Sequence, residues 1–108
     1  MQEIIKWVDR IVADELERAN DEFPLFHSKH EALGVLLEEI SEASDEIKIL
    51  DDAIKIVTES TFNDDDNKLS VYRSVARRRV IYAIAELIQC AAMLDKWDQS
   101  ENDWNEMR

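Results

Sequence analysis

Glycine, proline and cysteine are nearly missing from this 108-residue sequence, which contains one residue of each. Glycine and proline interrupt helices and mark turns, so their scarcity, with a charged fraction of 35%, predicts a mostly helical protein. The hydrophobic fraction of 45% is normal for a globular domain and argues against disorder. We therefore expect one all-α domain spanning residues 1–108, with its core in residues 26–97.

Long apolar segments and targeting signals are also missing. The longest apolar runs have six residues, Ala32–Leu37 and Val80–Ala85, whereas a membrane-spanning helix needs about 20. The N-terminal residues lack the basic start and apolar core of a signal peptide. Cys90 has no second cysteine with which to form an internal disulfide. These features predict a cytoplasmic protein with no membrane partner.

Basic residues are few, with 13 lysines and arginines against 25 aspartates and glutamates. The resulting net charge of −12 argues against binding to DNA or RNA, because nucleic-acid backbones are bound by clustered lysine and arginine. A single nucleotide bound through a metal ion remains compatible with this charge.

The first helix is predicted from about Glu3 to Ala19, where apolar residues recur at helical spacing. Pro24 then disfavours helix at the preceding residue and has no amide hydrogen to donate. We expect Phe23 and Phe26 to anchor this connection to the core.

The second helix is predicted to begin at a capping box formed by Ser28 and Glu31. It either continues to about Ser60 or breaks at Asp51–Asp52 and restarts as a short helix. Gly34 costs about 1 kcal/mol relative to alanine within a helix, so we expect a neighbouring helix to approach it closely. The apolar face of this helix is predicted to contain Leu33, Leu37, Ile40, Ile47, Ile54 and Val57.

The third helix is predicted from about Lys68 to Trp97, after a loop at residues 61–67 that is rich in aspartate and asparagine. Residues 100–103 either cap a last short turn or fray. The apolar residues of the third helix lie near a seven-residue repeat: Tyr72, Ala76, Ala83, Leu87, Cys90, Leu94 and Trp97.

The two long helices predict an antiparallel helical hairpin to which the N-terminal helix is added. A helix of 30 residues is about 45 Å long, whereas a compact chain of this size has a radius of gyration of about 13 Å. A thin hairpin cannot cover both of its faces, so we expect a homodimer or higher homo-oligomer that forms a helical bundle.

Acidic residues with regular spacing are the strongest functional signal. Glu39 and Glu42 are three residues apart and therefore neighbours on one helical face. Glu86 and Gln89 repeat that spacing on the third helix, where Glu86 interrupts an apolar segment. A buried carboxylate is costly unless it is paired or coordinated. Converging oxygen ligands suit Mg²⁺ or Mn²⁺, which in turn bind phosphates.

The pattern Glu38-Glu39-x-x-Glu42, followed by Glu86-x-x-Gln89, resembles the EExxE…ExxD signature of the MazG-like all-α nucleoside triphosphate pyrophosphohydrolases, in particular the small phage-type members. The similarity extends over about residues 26–97, most of the chain. It includes the segments Phe26-His-Ser-Lys-His-Glu-Ala-Leu-Gly-Val-Leu-Leu-Glu-Glu and Glu86-Leu-Ile-Gln-Cys-Ala-Ala-Met93.

The resemblance implies Mg²⁺-dependent hydrolysis of a nucleoside triphosphate to monophosphate and pyrophosphate. It also implies that Glu39, Glu42, Glu86 and Gln89 ligate the metal, with Glu38 as the candidate that activates water. We expect the first helix and the Phe23–Phe26 connection to recognise the base. Gln89 stands where the family has aspartate, which removes one negative charge from the site. The interval between the two halves of the motif is also longer than is usual in the family.

Alternative interpretations accompany each of these residues. The acidic run is also compatible with a solvated helical face, and a helical protein of this family that has lost activity would act as an oligomeric interaction module. Arg79 and Lys96, each seven residues from a motif position, are candidates for binding a substrate phosphate or for surface ion pairs. His27 and His30 lack the partners of a zinc site, so caps or loop contacts are expected instead.

Overall fold

The computed structural model describes residues 1–107, which form three α-helices and no strand. Helix α1 spans Gln2–Glu22, α2 spans Lys29–Phe62 and α3 spans Asp66–Glu106. The predicted all-α architecture, in which an N-terminal helix precedes a helical hairpin, is confirmed. Within residues 1–107, no helix combines the length and the apolar character that crossing a membrane requires.

The chain divides into two compact units. The first unit consists of Met1–Ile40 and Leu87–Arg108 and contains α1, the start of α2 and the last part of α3. The second unit, Ser41–Glu86, contains the remainder of α2, the turn at residues 63–65 and the start of α3. The hairpin turn therefore belongs to the second unit.

The connection between α1 and α2 is anchored to α3 within the first unit. The backbone N–H of Phe26 donates to Ser100 Oγ over 2.9 Å, and Trp104 Nε1 donates to the Phe26 carbonyl over 2.8 Å. The Phe26 side chain is 5% exposed, as predicted, whereas Phe23 is 64% exposed. The prediction that Phe23 anchors the connection was therefore wrong, because α1 continues through Glu22 and leaves Phe23 in an extended conformation at its end.

Helix α2 begins as predicted and does not break. Ser28 Oγ accepts the backbone N–H of Glu31 over 3.1 Å, which satisfies a donor at the helix start. At the proposed break, Asp51 instead lies 3.6 Å from Lys55, one helical turn onward. Such an i,i+4 pair favours helix, and the helix continues to Phe62.

The turn between α2 and α3 is shorter than predicted and contains residues 63–65. Asp64 has a φ of 54°, a left-handed conformation that aspartate tolerates better than most residues. Asp65 Oδ1 accepts the backbone N–H of Lys68 over 3.1 Å and so caps α3. At its other end α3 continues past Trp97 to Glu106, so the last predicted turn is part of this helix.

The residues with low solvent exposure follow a seven-residue repeat in both long helices. We call these two sets the inner stripes. The α2 stripe contains Ala32, Leu36, Glu39, Ala43, Glu46, Leu50, Ala53, Val57 and Ser60. The α3 stripe contains Leu69, Tyr72, Ala76, Arg79, Ala83, Glu86, Cys90, Met93, Trp97, Ser100 and Trp104. Their alternating spacing of three and four residues is that of helices packed in the coiled-coil manner.

The predicted apolar face of α2 is largely the wrong one. Five of its six residues are exposed, and Leu37 reaches 55%. The inner stripe instead contains alanines and glutamates, which contribute little to an apolar pattern. A methyl group added at Gly34 would meet no other atom within 4 Å, so the predicted close approach of a neighbouring helix is also wrong within this chain.

We expect Ser100→Ala to destabilise the first unit. Ser100 Oγ accepts from the Phe26 N–H and donates to the Lys96 carbonyl over 2.7 Å, and alanine leaves the amide of a buried residue without its acceptor. The expected loss is about 1–3 kcal/mol of unfolding free energy, measured by urea denaturation. Ser74→Ala is the matched control, because Ser74 is exposed on the same helix. Equal stability of the two variants would contradict the assigned role.

Candidate functional site

Three of the predicted metal ligands lie together. One carboxylate oxygen from each of Glu39, Glu42 and Glu86 lies within 4.8 Å of the others. Glu39 and Glu42 are adjacent because they are one turn apart on α2, and Glu86 comes from the inner stripe of α3. Glu39 and Glu86 are half-buried, whereas Glu42 is exposed. We call these three residues the acidic cluster.

Glu86 is the electrostatically strained member of the acidic cluster. Burial raises the pKa of the Glu86 carboxyl, and the negative charge of Glu42, a hydrogen bond with Glu42 and the charge of Glu46 raise it further. Two carboxyl groups can share a hydrogen bond only when one of them holds a proton. Glu86 Oε2 is itself buried and has no hydrogen-bond partner among residues 1–107. A cation at this position would relieve both the repulsion and the desolvation.

No basic side chain of the described chain forms an ion pair with Glu86. The nearby candidate, Arg79, instead lies 3.3 Å from Glu46 Oε2, and its guanidinium is 5.4 Å from the centre of the Tyr82 ring. Glu46 therefore has a counter-ion within the second unit, and Glu86 has none. Arg79 was predicted either to bind a substrate phosphate or to form an ion pair. It forms an ion pair with Glu46, and the phosphate contact stays a prediction.

The two remaining motif residues, Glu38 and Gln89, differ in their exposure. Glu38 is exposed, one residue before Glu39 on α2, and so projects from a different side of the helix. Gln89 is half-buried and lines a cavity of the first unit together with Glu39. Its amide is a neutral group, so any contribution to a cation would come from its carbonyl oxygen.

A cavity of about 360 Å³ lies within the first unit. This volume falls in the roughly 300–1,000 Å³ range of small-molecule sites. Apolar surface makes up most of its wall, and its charged residues include the ion pair of Glu15 and Arg18. The lining residues are Glu15, Arg18, Ala19, Phe23, Pro24, Phe26, Glu31, Val35, Glu39, Gln89, Met93 and Lys96.

Lys96 is the buried cation of this cavity, with 3% of its surface exposed. Its ammonium lies 5.1 Å from the centre of the Phe26 ring, a cation–π distance. Burial lowers the pKa of Lys96, and the negative charge of Glu31 partly opposes that effect. In residues 1–107 no carboxylate oxygen lies within 4.0 Å of Lys96 Nζ.

Several cavity residues were not identified from the sequence. Arg18 and Glu31 look like ordinary members of amphipathic helices, and Val35 and Met93 look like core residues. The available signal was the connection at Phe23–Phe26, which lies between α1 and the acidic motif. That connection and the first helix were expected to recognise the base, and residues of both line the cavity.

The arrangement can bind a divalent cation through hard oxygen ligands. Opposite ligands of Mg²⁺ lie about 4.2 Å apart, which is close to the 4.8 Å within which the oxygens of the acidic cluster lie. The fit is supported by the unbonded, buried oxygen of Glu86. Glu39 belongs both to the acidic cluster and to the wall of the cavity.

Comparison with known proteins adds no assignment: no family model, curated protein or solved structure matches this chain.

We expect Glu86→Gln to stabilise the metal-free protein at neutral pH. Because the pKa of Glu86 is raised in the folded state, ionisation of this residue opposes folding. This destabilisation of the folded state is absent when the pH is below 4.5, the ordinary pKa of a glutamate. It grows as the pH rises towards the raised pKa of Glu86 and is constant above that pKa.

The measurement is the thermal midpoint of both proteins in EDTA from pH 4 to pH 8. The advantage of the variant should appear only above about pH 4.5. Glu17→Gln is the control, because Glu17 is exposed on α1. A variant that is less stable than the parent at pH 7 would show that Glu86 has a favourable partner instead.

Proposed function

We propose that this chain is a Mg²⁺-dependent nucleoside triphosphate pyrophosphohydrolase of the MazG-like type. The observation that carries the proposal is the acidic cluster, in which three carboxylates converge and Glu86 has no ion-pair partner among residues 1–107. An acidic face that served only solubility would place its carboxylates in water. Here two of the three are half-buried and belong to an inner stripe.

In this proposal Glu39, Glu42 and Glu86 hold Mg²⁺ or Mn²⁺, with the carbonyl oxygen of Gln89 as a further ligand. The cation, when bound, supplies positive charge to the phosphate oxygens. Glu38 accepts the proton of the attacking water. The water oxygen forms a bond to the α-phosphorus and the bond to the bridging oxygen breaks, so that pyrophosphate leaves and the monophosphate remains.

The cavity of the first unit supports a nucleotide as the ligand. Its wall includes Glu39 and Gln89, two of the proposed metal ligands, so a molecule in the cavity would contact the metal site directly. Its apolar side chains suit a base and ribose. Arg79 is not assigned to the substrate, because it is bound to Glu46.

The expected activity is release of pyrophosphate from one or more nucleoside triphosphates with Mg²⁺ or Mn²⁺. Glu39→Gln, Glu42→Gln and Glu86→Gln should each reduce turnover by about 100-fold, because each removes a charge that holds the cation. Glu17→Gln should keep the parent activity. Pyrophosphate is measured with a panel of ribo- and deoxyribonucleotides at micromolar enzyme.

Metal binding is measured separately by thermal unfolding. A bound ion at 100 times its dissociation constant stabilises the folded state by about 2.7 kcal/mol. Unchanged midpoints in millimolar Mg²⁺ and Mn²⁺, together with no pyrophosphate release, would exclude the proposed activity.

A second function is favoured by the apolar surface of the chain. A catalytically inactive helical protein would use exposed apolar residues to bind copies of itself or another helix. Many large apolar side chains are exposed on every helix, among them Ile4, Ile5, Trp7, Leu33, Leu37, Ile40, Ile47, Ile81, Ile84, Leu87 and Leu94. Such surfaces mark interaction sites when they are contiguous. Self-association is part of both proposals.

We expect a particle at least twice the 12.6 kDa mass of the chain in sedimentation equilibrium at micromolar concentration. Leu37→Lys should shift the equilibrium towards the monomer, because it places an ammonium among exposed apolar residues of α2. Asn102→Lys, at an exposed polar position of α3, is the control. A parent protein that remains monomeric would contradict the predicted homo-oligomer.

A further inference from the structure

The polar groups that α2 and α3 contribute to the first-unit cavity form two sets along these helices, while Glu15 and Arg18 of α1 form an ion pair with each other. Gln89 and Glu39 mark one end of the cavity, and Lys96 and Glu31 mark the other. Lys96 follows Gln89 by seven residues, which is about 10 Å along α3, and Glu31 precedes Glu39 by eight, which is about 12 Å along α2. One end of the cavity therefore has Glu39 beside the proposed metal. The other, which we call the ammonium end, has Lys96 together with the carboxylate of Glu31.

This separation is comparable with the length of a nucleoside. Phosphates that contact a cation at Glu39 would leave the ribose and then the base to extend towards Lys96. The ammonium is therefore too far along the cavity to meet the same phosphates. This placement differs from the expectation that Lys96 binds a substrate phosphate.

We propose that Lys96 binds a carbonyl oxygen on the base of the nucleotide and selects bases that carry one. The inference rests on the proposed function for the position of the phosphates. Uracil, thymine, cytosine and guanine each have a carbonyl oxygen, whereas adenine has none. Lys96 is thus a specificity-determining residue for carbonyl-bearing bases.

The surroundings of Lys96 support this role. An ammonium group has three hydrogens to donate and no acceptor, so it matches an oxygen. The Phe26 ring accounts for one side of the group, and no carboxylate of residues 1–107 lies within 4.0 Å of it. Burial of a lysine to 3% exposure with no ion-pair partner is costly, and a ligand oxygen would offset that cost. Phe23, Pro24 and Val35 supply apolar surface for the faces of a base.

If Lys96 binds the base, the protein should discriminate strongly between bases with a carbonyl oxygen and adenine. A site built to donate a hydrogen bond rejects an analogue that lacks the acceptor. Hydrogen bonds to charged groups correspond to roughly 10- to 100-fold in affinity. Carbonyl-bearing nucleosides should therefore bind more tightly than adenosine by about that factor.

The test is calorimetric binding of uridine, cytidine, guanosine and adenosine to the full chain in EDTA. Nucleosides have no phosphate and need no metal, so the readout does not depend on hydrolysis. Lys96→Met should weaken the first three by roughly 10- to 100-fold and leave adenosine unchanged. Lys96→Gln, which keeps a donor, should recover part of the loss. Lys55→Met, at an exposed lysine of the second unit, should match the parent protein.

Thermal unfolding of each variant checks that it folds. If Lys96→Met does not fold, the preference of the parent protein for guanosine over adenosine and the response of Lys96→Gln still decide the question. Equal binding of all four nucleosides to the parent, or equal binding of each to parent and variant, would overturn the proposal. So would binding of inorganic triphosphate that weakens in Lys96→Met, because that would place phosphates at the ammonium end.

Glu39→Gln separates this inference from the proposed function. It should abolish Mg²⁺-dependent pyrophosphate release and leave nucleoside binding in EDTA unchanged. Nucleoside binding that depends on Lys96 without any hydrolysis by the parent would defeat the proposed activity alone. Hydrolysis without a dependence of base preference on Lys96 would defeat the base-binding role alone.

Discussion

The placement of carboxylates in the inner stripes is the constraint on which this structure depends. Positions that repeat every seven residues in packed helices normally contain apolar side chains, because burying a charge is costly. Here Glu39, Glu46 and Glu86 occupy such positions. Alanines at positions 43 and 83 lie one turn away on the same stripes and are buried. Small neighbours leave room for the longer acidic side chains.

The two half-buried glutamates of the second unit, Glu46 and Glu86, have different electrostatic surroundings. Glu46 is neutralised by Arg79, which also contacts Tyr82. Glu86 has no such partner in the described part of the chain and instead lies against Glu42, with its pKa raised by burial and by its acidic neighbours. A protein that required these groups only for stability would gain from a second arginine or from apolar side chains. The unfavourable burial of the Glu86 carboxylate beside other acids is the physical reason why we propose that it binds a cation.

In the first unit, the connection between α1 and α2 is hydrogen-bonded to α3 and also lines the cavity. Ser100 accepts a hydrogen bond from the Phe26 N–H, and Trp104 donates one to the Phe26 carbonyl. Side chains of α3 therefore fix the backbone of the residue whose ring contacts Lys96. Phe23, three residues earlier, is exposed and lines the same cavity. The ring at residue 26 is thus fixed, while the ring at residue 23 borders solvent. The cavity wall therefore includes one buried aromatic ring, Phe26, and one exposed ring, Phe23.

Features that depend on neighbours along the chain could be predicted from the amino-acid sequence. Three helices, the Ser28 cap and the one-turn spacing of Glu39 and Glu42 follow from backbone hydrogen bonding and local side-chain preference, which act over a few residues. Which face of α2 is buried depends on tertiary packing, because its inner stripe mixes alanine, glutamate and serine with only three larger apolar residues and is not the most hydrophobic face. The tertiary structure also decided that Glu86 has no ion-pair partner among residues 1–107 and that Lys96 is buried, since pairing and burial depend on residues far apart in sequence.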